Sequence, residues 1–311
     1  MVIGICPTVD FAFKCLFGSP EHAAVTVHFL NSILVSGPKI SRVEFRHPFL
    51  EKTAEDDKLA VLDILATDEH DRRLNIEMQT TLPVGMSKRL AYYASRLYYD
   101  QLFEGEQYSD LRPAISICVL TKALFPTCPE LHLDFRLRAA SGQLLTDDLQ
   151  IHLLELPKLR VTVKNVRQAS PIEQWGFFLQ NAQNLTRHDV ARLFPDHEFS
   201  EAAGVLQMIA RTPEQLALYD ARLKFQRDEA AKLEGARLEG KQEGKEEGRE
   251  EGREEGEKKG LRKGELLGRI LVLRELLEVQ PLTRAELAAF SEDELSAMAD
   301  DLQSQLRHRG Q

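Results

Sequence analysis

The sequence predicts an α/β (α+β) domain with a mixed central sheet flanked by helices, followed by a charged Gly-repeat helical arm and a small helical tail. Three observations carry that prediction. Helix-like and strand-like segments follow one another as helix, three strands, helix, strand over residues 10–120. The helix between the third and fourth strands is a crossover, which requires a right-handed connection and at least one parallel pair. From Gly235 the composition then switches abruptly to glycines set among Lys, Arg and Glu.

Residues 10–34 carry an apolar stripe near the 3.6-residue period: Phe11, Cys15 and Leu16, then Val25, Phe29, Leu30 and Ile33. Gly18-Ser19-Pro20 interrupts it, so two helices joined at a turn are expected, with Thr8 or Asp10 capping the first. Residues 41–50 (SRVEFRHPFL) read as a strand whose Pro48 marks an edge or bulge. After the charged connection EKTAEDDK come the strand runs LAVLDILA and LNIEMQ around the turn DEHDRR. MSKRLAYYASRLYYDQLFEG reads as a helix ended by Gly105, and AISICVL as a fully buried strand. Residues 131–156 have the pattern of another hairpin. Residues 171–184, which hold the lone tryptophan Trp175, and residues near 201–219 read as further helices.

The candidate chemistry lies in residues 58–80. Strand side chains alternate faces, so Asn75, Glu77 and Gln79 share one face while Leu74, Ile76 and Met78 share the other. A hairpin symmetric about His70 sets Asp63 opposite Glu77, with Cβ atoms roughly 5 Å apart. Two carboxylates that close repel unless a cation lies between them, and a hard divalent ion with oxygen ligands fits. Asp63 is bracketed by Val61, Leu62, Ile64 and Leu65, the setting of a central strand, where an unpartnered carboxylate is costly. The plain alternative is a hairpin with a polar, solvent-facing side.

On the following helix Lys88, Tyr92, Ser95 and Tyr99 form one stripe and Arg89, Tyr93 and Arg96 the next. For the basic residues a solvated helix face competes with phosphate binding. For Tyr92 and Tyr93 core packing is favoured over base stacking. From Gly240 to Gly268 glycine recurs at every fourth residue. Each costs a helix about 1 kcal/mol, offset in part by i,i+4 Glu–Lys and Glu–Arg pairs. A charged linker or extended helix is favoured over a defined interface. In the tail, Thr283-x-x-Glu286 and Ser291-x-x-Glu294 are capping boxes opening two short helices.

The 311-residue chain is long enough for a full core plus additional pieces. Hydrophobic residues make up 43% and charged residues 29%, and no apolar run reaches the roughly 20 residues of a membrane span. Cys6, Cys15, Cys118 and Cys128 stand apart with no CxxC pair, which argues for reduced thiols and against structural zinc. With no basic leader at the N-terminus, a cytoplasmic location is expected. The net charge of −9 gives no global support for nucleic-acid binding, so such binding needs a local basic patch.

Several blocks together carry a resemblance: DFAFKCLFGS (10–19), LNSIL (30–34), VLDILATDEHDRRLNIEMQ (61–79), KRLAYYASRLYYDQLFEGEQYSDLRPAISICVL (88–120) and IHLLELPKL (151–159). The chain resembles the Rpn family of recombination-promoting nucleases, or putative transposases, of the PD-(D/E)xK nuclease superfamily. The resemblance implies a restriction-endonuclease-like core over residues 1–230, with residues 231–264 as the charged arm and 265–311 as a helical module suited to homo-oligomerisation. It implies a DNA endonuclease linked to recombination or a mobile element and dependent on Mg²⁺ or another divalent cation such as Mn²⁺. Asp63 stands at the superfamily's Asp, Glu77 at its second acid and Gln79 at the lysine of ExK, while Leu62 replaces the proline. The Met78 carbonyl is expected as a further metal ligand and Lys88 and Arg89 as phosphate contacts, with Asp10 as a possible additional acid. Gln79 cannot carry a lysine's charge. A weakened nuclease fold that binds DNA, or a scaffold, is therefore the competing reading.

Overall fold

The computed structural model describes residues 1–46, 63–102, 104–280 and 282–309. It divides into two compact units, Met1–Lys232 and Leu233–Gln311. The expected strand over 47–50, Lys58, and the first half of the run preceding Asp63 lie outside the described residues.

In the first unit, α1 (Asp10–Phe17) and α2 (Ala23–Ile33) are separated by a single turn at Pro20–His22, the break that Gly18-Ser19-Pro20 predicts. Neither Thr8 nor Asp10 caps α1: Val9 holds the cap position without a side-chain bond. Asp10 is instead engaged with Lys14, one turn on. Gly18 has to be small, because a Cβ there would stand 2.9 Å from the Lys14 carbonyl and 3.2 Å from Ile64. That close approach seats the end of α1 on the strand beside the site.

The described strands form one six-stranded sheet in the order β1-β2-β3-β4-β6-β5. β1 (Val43–Arg46) pairs antiparallel with β2 (Ile64–Asp68), and β2 with β3 (Arg73–Gln79). The helix α3 (Met86–Tyr99) then crosses over to β4 (Ala114–Leu120), which runs parallel to β3, as the order of elements requires. β6 (Leu144–Glu155) is parallel to β4 and carries β5 (His132–Arg138) antiparallel on its outer edge. α3 ends at Tyr99 and not at Gly105: Arg96 reaches the capping Asp100 at 2.9 Å, and Gly105 lies beyond in a loop with φ of +93°.

One sheet face builds the main core. Leu74, Ile76 and Met78 of β3 and Ile115, Ile117 and Val119 of β4 lie beneath α1, α2, α4 (Pro171–Asn181) and α6 (His197–Arg211). At its centre Trp175 packs against Phe17, Phe29, Phe178 and Phe199, with ring centroids 4.5–5.7 Å apart. Its indole N–H donates to His28 Nδ1 at 3.0 Å, satisfying the ring's polar atom. The short α5 (Arg187–Leu193) is opened by a Thr186/Asp189 capping box. α6 stops at Thr212, because Pro213 cannot continue it and instead starts α7. The expected helix near 201–219 is thus two.

α7 (Pro213–Leu276) is one helix of 64 residues that includes the glycine row. A Cβ added at any of Gly240 to Gly268 would meet nothing within 4 Å. Within the second unit Leu267, Ile270 and Leu273 pack against Leu287 of α8 (Arg284–Ala288) and Leu295 and Leu302 of α9 (Glu292–Arg309). Both expected capping boxes are formed: Thr283 and Glu286 bond each other's backbone N–H groups, as do Ser291 and Glu294.

Candidate active site

The hairpin that carries the acids is built by its turn. Asp68, buried at the end of β2, accepts the His70 and Arg72 N–H groups at 2.9 and 3.0 Å and the Arg72 guanidinium at 2.6 Å. Asp71 takes a positive φ of 60°, a conformation Asp tolerates. These bonds fix the register, in which Ile64 faces Ile76 and Leu65 faces Asn75, symmetric about His70 as expected.

Asp63 lies one residue before β2, in a bend rather than within the strand, and is partly exposed. Its Oδ2 accepts the Met78 N–H at 3.2 Å, which docks it on the β3 edge beside Glu77. Its Oδ1 meets the Lys14 ammonium at 3.1 Å, and the same ammonium meets Asp10 at 2.9 Å. Burial raises the Asp63 pKa above the usual carboxylate range, with Lys14 opposing. For Lys14, burial alone would lower the pKa, but bonding to Asp10 and the Asp63 charge carry it above its ordinary value.

Glu77 is 2% exposed. Asn75 Nδ2 donates to its Oε1 at 3.0 Å, while Oε2 is buried without a hydrogen-bond partner among the described residues. Burial pushes its pKa up; the Asn75 amide, Arg89 and Gln79 pull against that, and the Asp63 charge adds to it. Cys118 faces Glu77 across the β3–β4 pair, and its thiol is held well above its ordinary range by burial and by the two acids, so it is no nucleophile. A buried carboxylate oxygen with no donor among the described residues, close to a second carboxylate of raised pKa, is an arrangement that a bound cation or a proton would relieve.

A family model described as PD-(D/E)XK nuclease family transposase matches residues 7–236. The chain belongs to this family. No curated protein and no solved structure gives a match. Family membership supports a nuclease or transposase-like function with DNA as substrate, and PD-(D/E)XK nucleases generally use divalent metal ions.

The residues present fit such an ion. The donors are hard oxygens, one of them unpartnered, and among the described residues no cluster of three His, Cys, Asp or Glu gathers that would make a full protein cage. Two carboxylates with the remaining positions left to water and substrate phosphate is the habit of Mg²⁺. Met78 buries its side chain in the core, but its backbone faces the Asp63 side of β3. Gln79, the last residue of β3, is half-buried next to Glu77.

The other expected contacts divide. α3 lies across the Glu77 face, packing Met86 and Leu90 on Cys118, Leu120 and Leu153. Lys88 is exposed and makes no contact with the acids among the described residues, so the part left to it is that of a surface phosphate contact. Arg89 turns inward: its charge acts on Glu77, its guanidinium stacks over Tyr93 at 5.1 Å, and its Nε is buried without a partner among the described residues. One helical position separates them, and 100° of rotation decides it. Tyr93 packs with Leu65, Leu97 and Ala114, as core packing predicts, whereas Tyr92 is exposed. Sequence reasoning missed Lys14. Its one signal was the i,i+4 pairing with Asp10 inside DFAFK. Among the described residues no helix is long and apolar enough to cross a membrane.

Proposed function

We propose that the protein is a metal-dependent DNA endonuclease whose site is Asp63, Glu77 and Gln79. The observation that carries this reading is the buried Glu77 Oε2, unpartnered among the described residues, beside Asp63. Asp63 and Glu77 hold the metal, Mg²⁺ by the hardness of the donors, with the Met78 carbonyl completing the protein's share. In a strand a residue's N–H and C=O point to the same side, and the Met78 N–H already points at Asp63. A divalent ion bound here supplies Lewis-acid polarisation of a phosphoryl oxygen and a water of low pKa. Gln79 orients the attacking water or a phosphate oxygen through its amide. Arg89 contacts a phosphate, positioning DNA without reading its sequence. Residues 231–264 act as a charged spacer and 265–311 as an interaction or homo-oligomerisation module in a cytoplasmic protein tied to recombination or a mobile element.

The test is nicking of supercoiled plasmid by the wild type and by Asp63→Asn and Glu77→Gln. Expected is Mg²⁺-dependent cleavage that falls more than about a hundredfold in each variant, beyond what loss of an outer-shell partner costs. Cleavage that survives both substitutions would remove the site assignment. The neutral Gln79 favours one other reading, a DNA-binding protein without turnover. Salt-sensitive DNA binding by an inactive wild type would support it.

A further inference from the structure

The proposed site holds two acids, a neutral amide and, on the Glu77 side, Arg89, while the Lys14 ammonium on the Asp63 side has no role in it. Negative charge grows on the phosphoryl group as water adds, and fixed positive charge aimed there is among the strongest contributions a protein can make. Gln79 contributes dipole only. Lys88 faces solvent.

We propose that Lys14, from the first helix, is the ammonium that serves this site in place of a lysine two residues beyond Glu77. The proposal rests on the nuclease reading above and extends it to a residue outside the acid hairpin. Lys14 Nζ lies 3.1 Å from Asp63 Oδ1, so it stands directly against one of the two metal-holding carboxylates. It is also fixed. Asp10 holds the same ammonium at 2.9 Å from one turn earlier, with the acid on the N-terminal side, the better orientation for such a pair. Its helix is anchored by Ala12, Phe13, Leu16 and Phe17, all fully buried in the main core, and by the close seat of Gly18 on Ile64.

The topology explains why a lysine can come from here. Asp63 sits in the bend one residue before β2, and its carboxylate meets a side chain from α1. A lysine at position 79 would approach Glu77 along β3; Lys14 approaches Asp63 from the helix. Both routes deliver one positive charge to the same pair of acids. Asp10 is then a positioning residue, and Arg222, 3.9 Å from its Oδ2, adds a second positive group at the outer end. Lys14 forms and breaks no bond: it remains protonated and meets a non-bridging phosphate oxygen by charge alone.

The experiment compares plasmid cleavage with Mn²⁺ binding to the metal-free protein by calorimetry. The proteins are the full-length wild type, Lys14→Gln, Lys14→Gln with Gln79→Lys, and Asp63→Asn. Turnover in Lys14→Gln is expected to fall by about 10²–10³, with unchanged or tighter Mn²⁺ binding and an unchanged melting temperature. Adding Gln79→Lys is expected to recover at least about tenfold of that loss. A structural ion pair would not give this recovery.

Wild-type turnover in Lys14→Gln overturns the proposal while Asp63→Asn still reports on the nuclease reading. Loss of Mn²⁺ binding in step with turnover overturns it too, since Lys14 would then only be holding Asp63. Failure of Gln79→Lys to recover any activity in Lys14→Gln overturns the shared role of the two positions. An inactive wild type removes the nuclease reading and this proposal together.

Discussion

The two faces of β3 carry opposite solutions to burial. Leu74, Ile76 and Met78 face α1, α2, α4 and α6 in a close-packed aromatic core. Asn75, Glu77 and Gln79, one residue out of step, face α3, and there Glu77 is buried like the core residues yet keeps an oxygen unpartnered among the described residues. The core face is satisfied as it stands. The other face leaves Glu77 Oε2 and Asn75 Oδ1 without a hydrogen-bond partner among the described residues. This difference is what supports the proposed site, because departures from a satisfied core tend to fall at functional positions.

Breaking the core face should give the largest effect. Trp175→Ala removes the ring around which the aromatic cluster packs and leaves His28 Nδ1 without its donor. A loss of about 3–5 kcal/mol is expected in urea unfolding, with no change in the acids themselves. Asp68→Asn acts between the two faces, at the turn that sets the hairpin. It keeps an acceptor for the backbone N–H groups but leaves Arg72 buried without its counter-charge. A cost of about 1–3 kcal/mol is expected by the same measurement, with weaker metal binding if the register loosens.

On the site face the expected effect is smaller and of opposite sign. Burial raises the Glu77 pKa above 4.5 in the metal-free protein. The folded state therefore holds this proton more tightly than the unfolded chain. Stability contributed by Glu77 is full below about pH 4.5 and is lost as pH rises through the folded pKa; Asp63 has the same sign. Glu77→Gln should remove part of that fall and leave the metal-free protein more stable near pH 8 than the wild type. Thermal unfolding across pH checks it. A variant that gains stability while losing cleavage would set the two faces apart in a single residue.

Much of this was legible in the sequence because period-2 alternation dictates which residues share a face. The symmetric hairpin, the parallel crossover, the break at Gly18-Ser19-Pro20 and both tail capping boxes follow from local rules, and the structure has them. What was not legible depends on rotation and on contacts across long sequence separations. Lys88 and Arg89 are both basic and adjacent, and only the seating of Met86 and Leu90 on the sheet decides that Arg89 turns inward. Lys14 and Asp63 are 49 positions apart in a chain whose pattern gives no reason to pair them. The early end of α3 reflects Asp100 capping through Arg96, where Gly105 offered the more obvious stop.

The central claim is that Asp63 and Glu77 share one divalent ion. Mn²⁺ introduced into crystals of the metal-free protein tests it through anomalous scattering. An anomalous peak is expected in contact with both the Asp63 carboxylate and Glu77 Oε2, absent in Glu77→Gln. A protein that cleaves DNA with Mn²⁺ while its only anomalous peak lies away from these two carboxylates would contradict it.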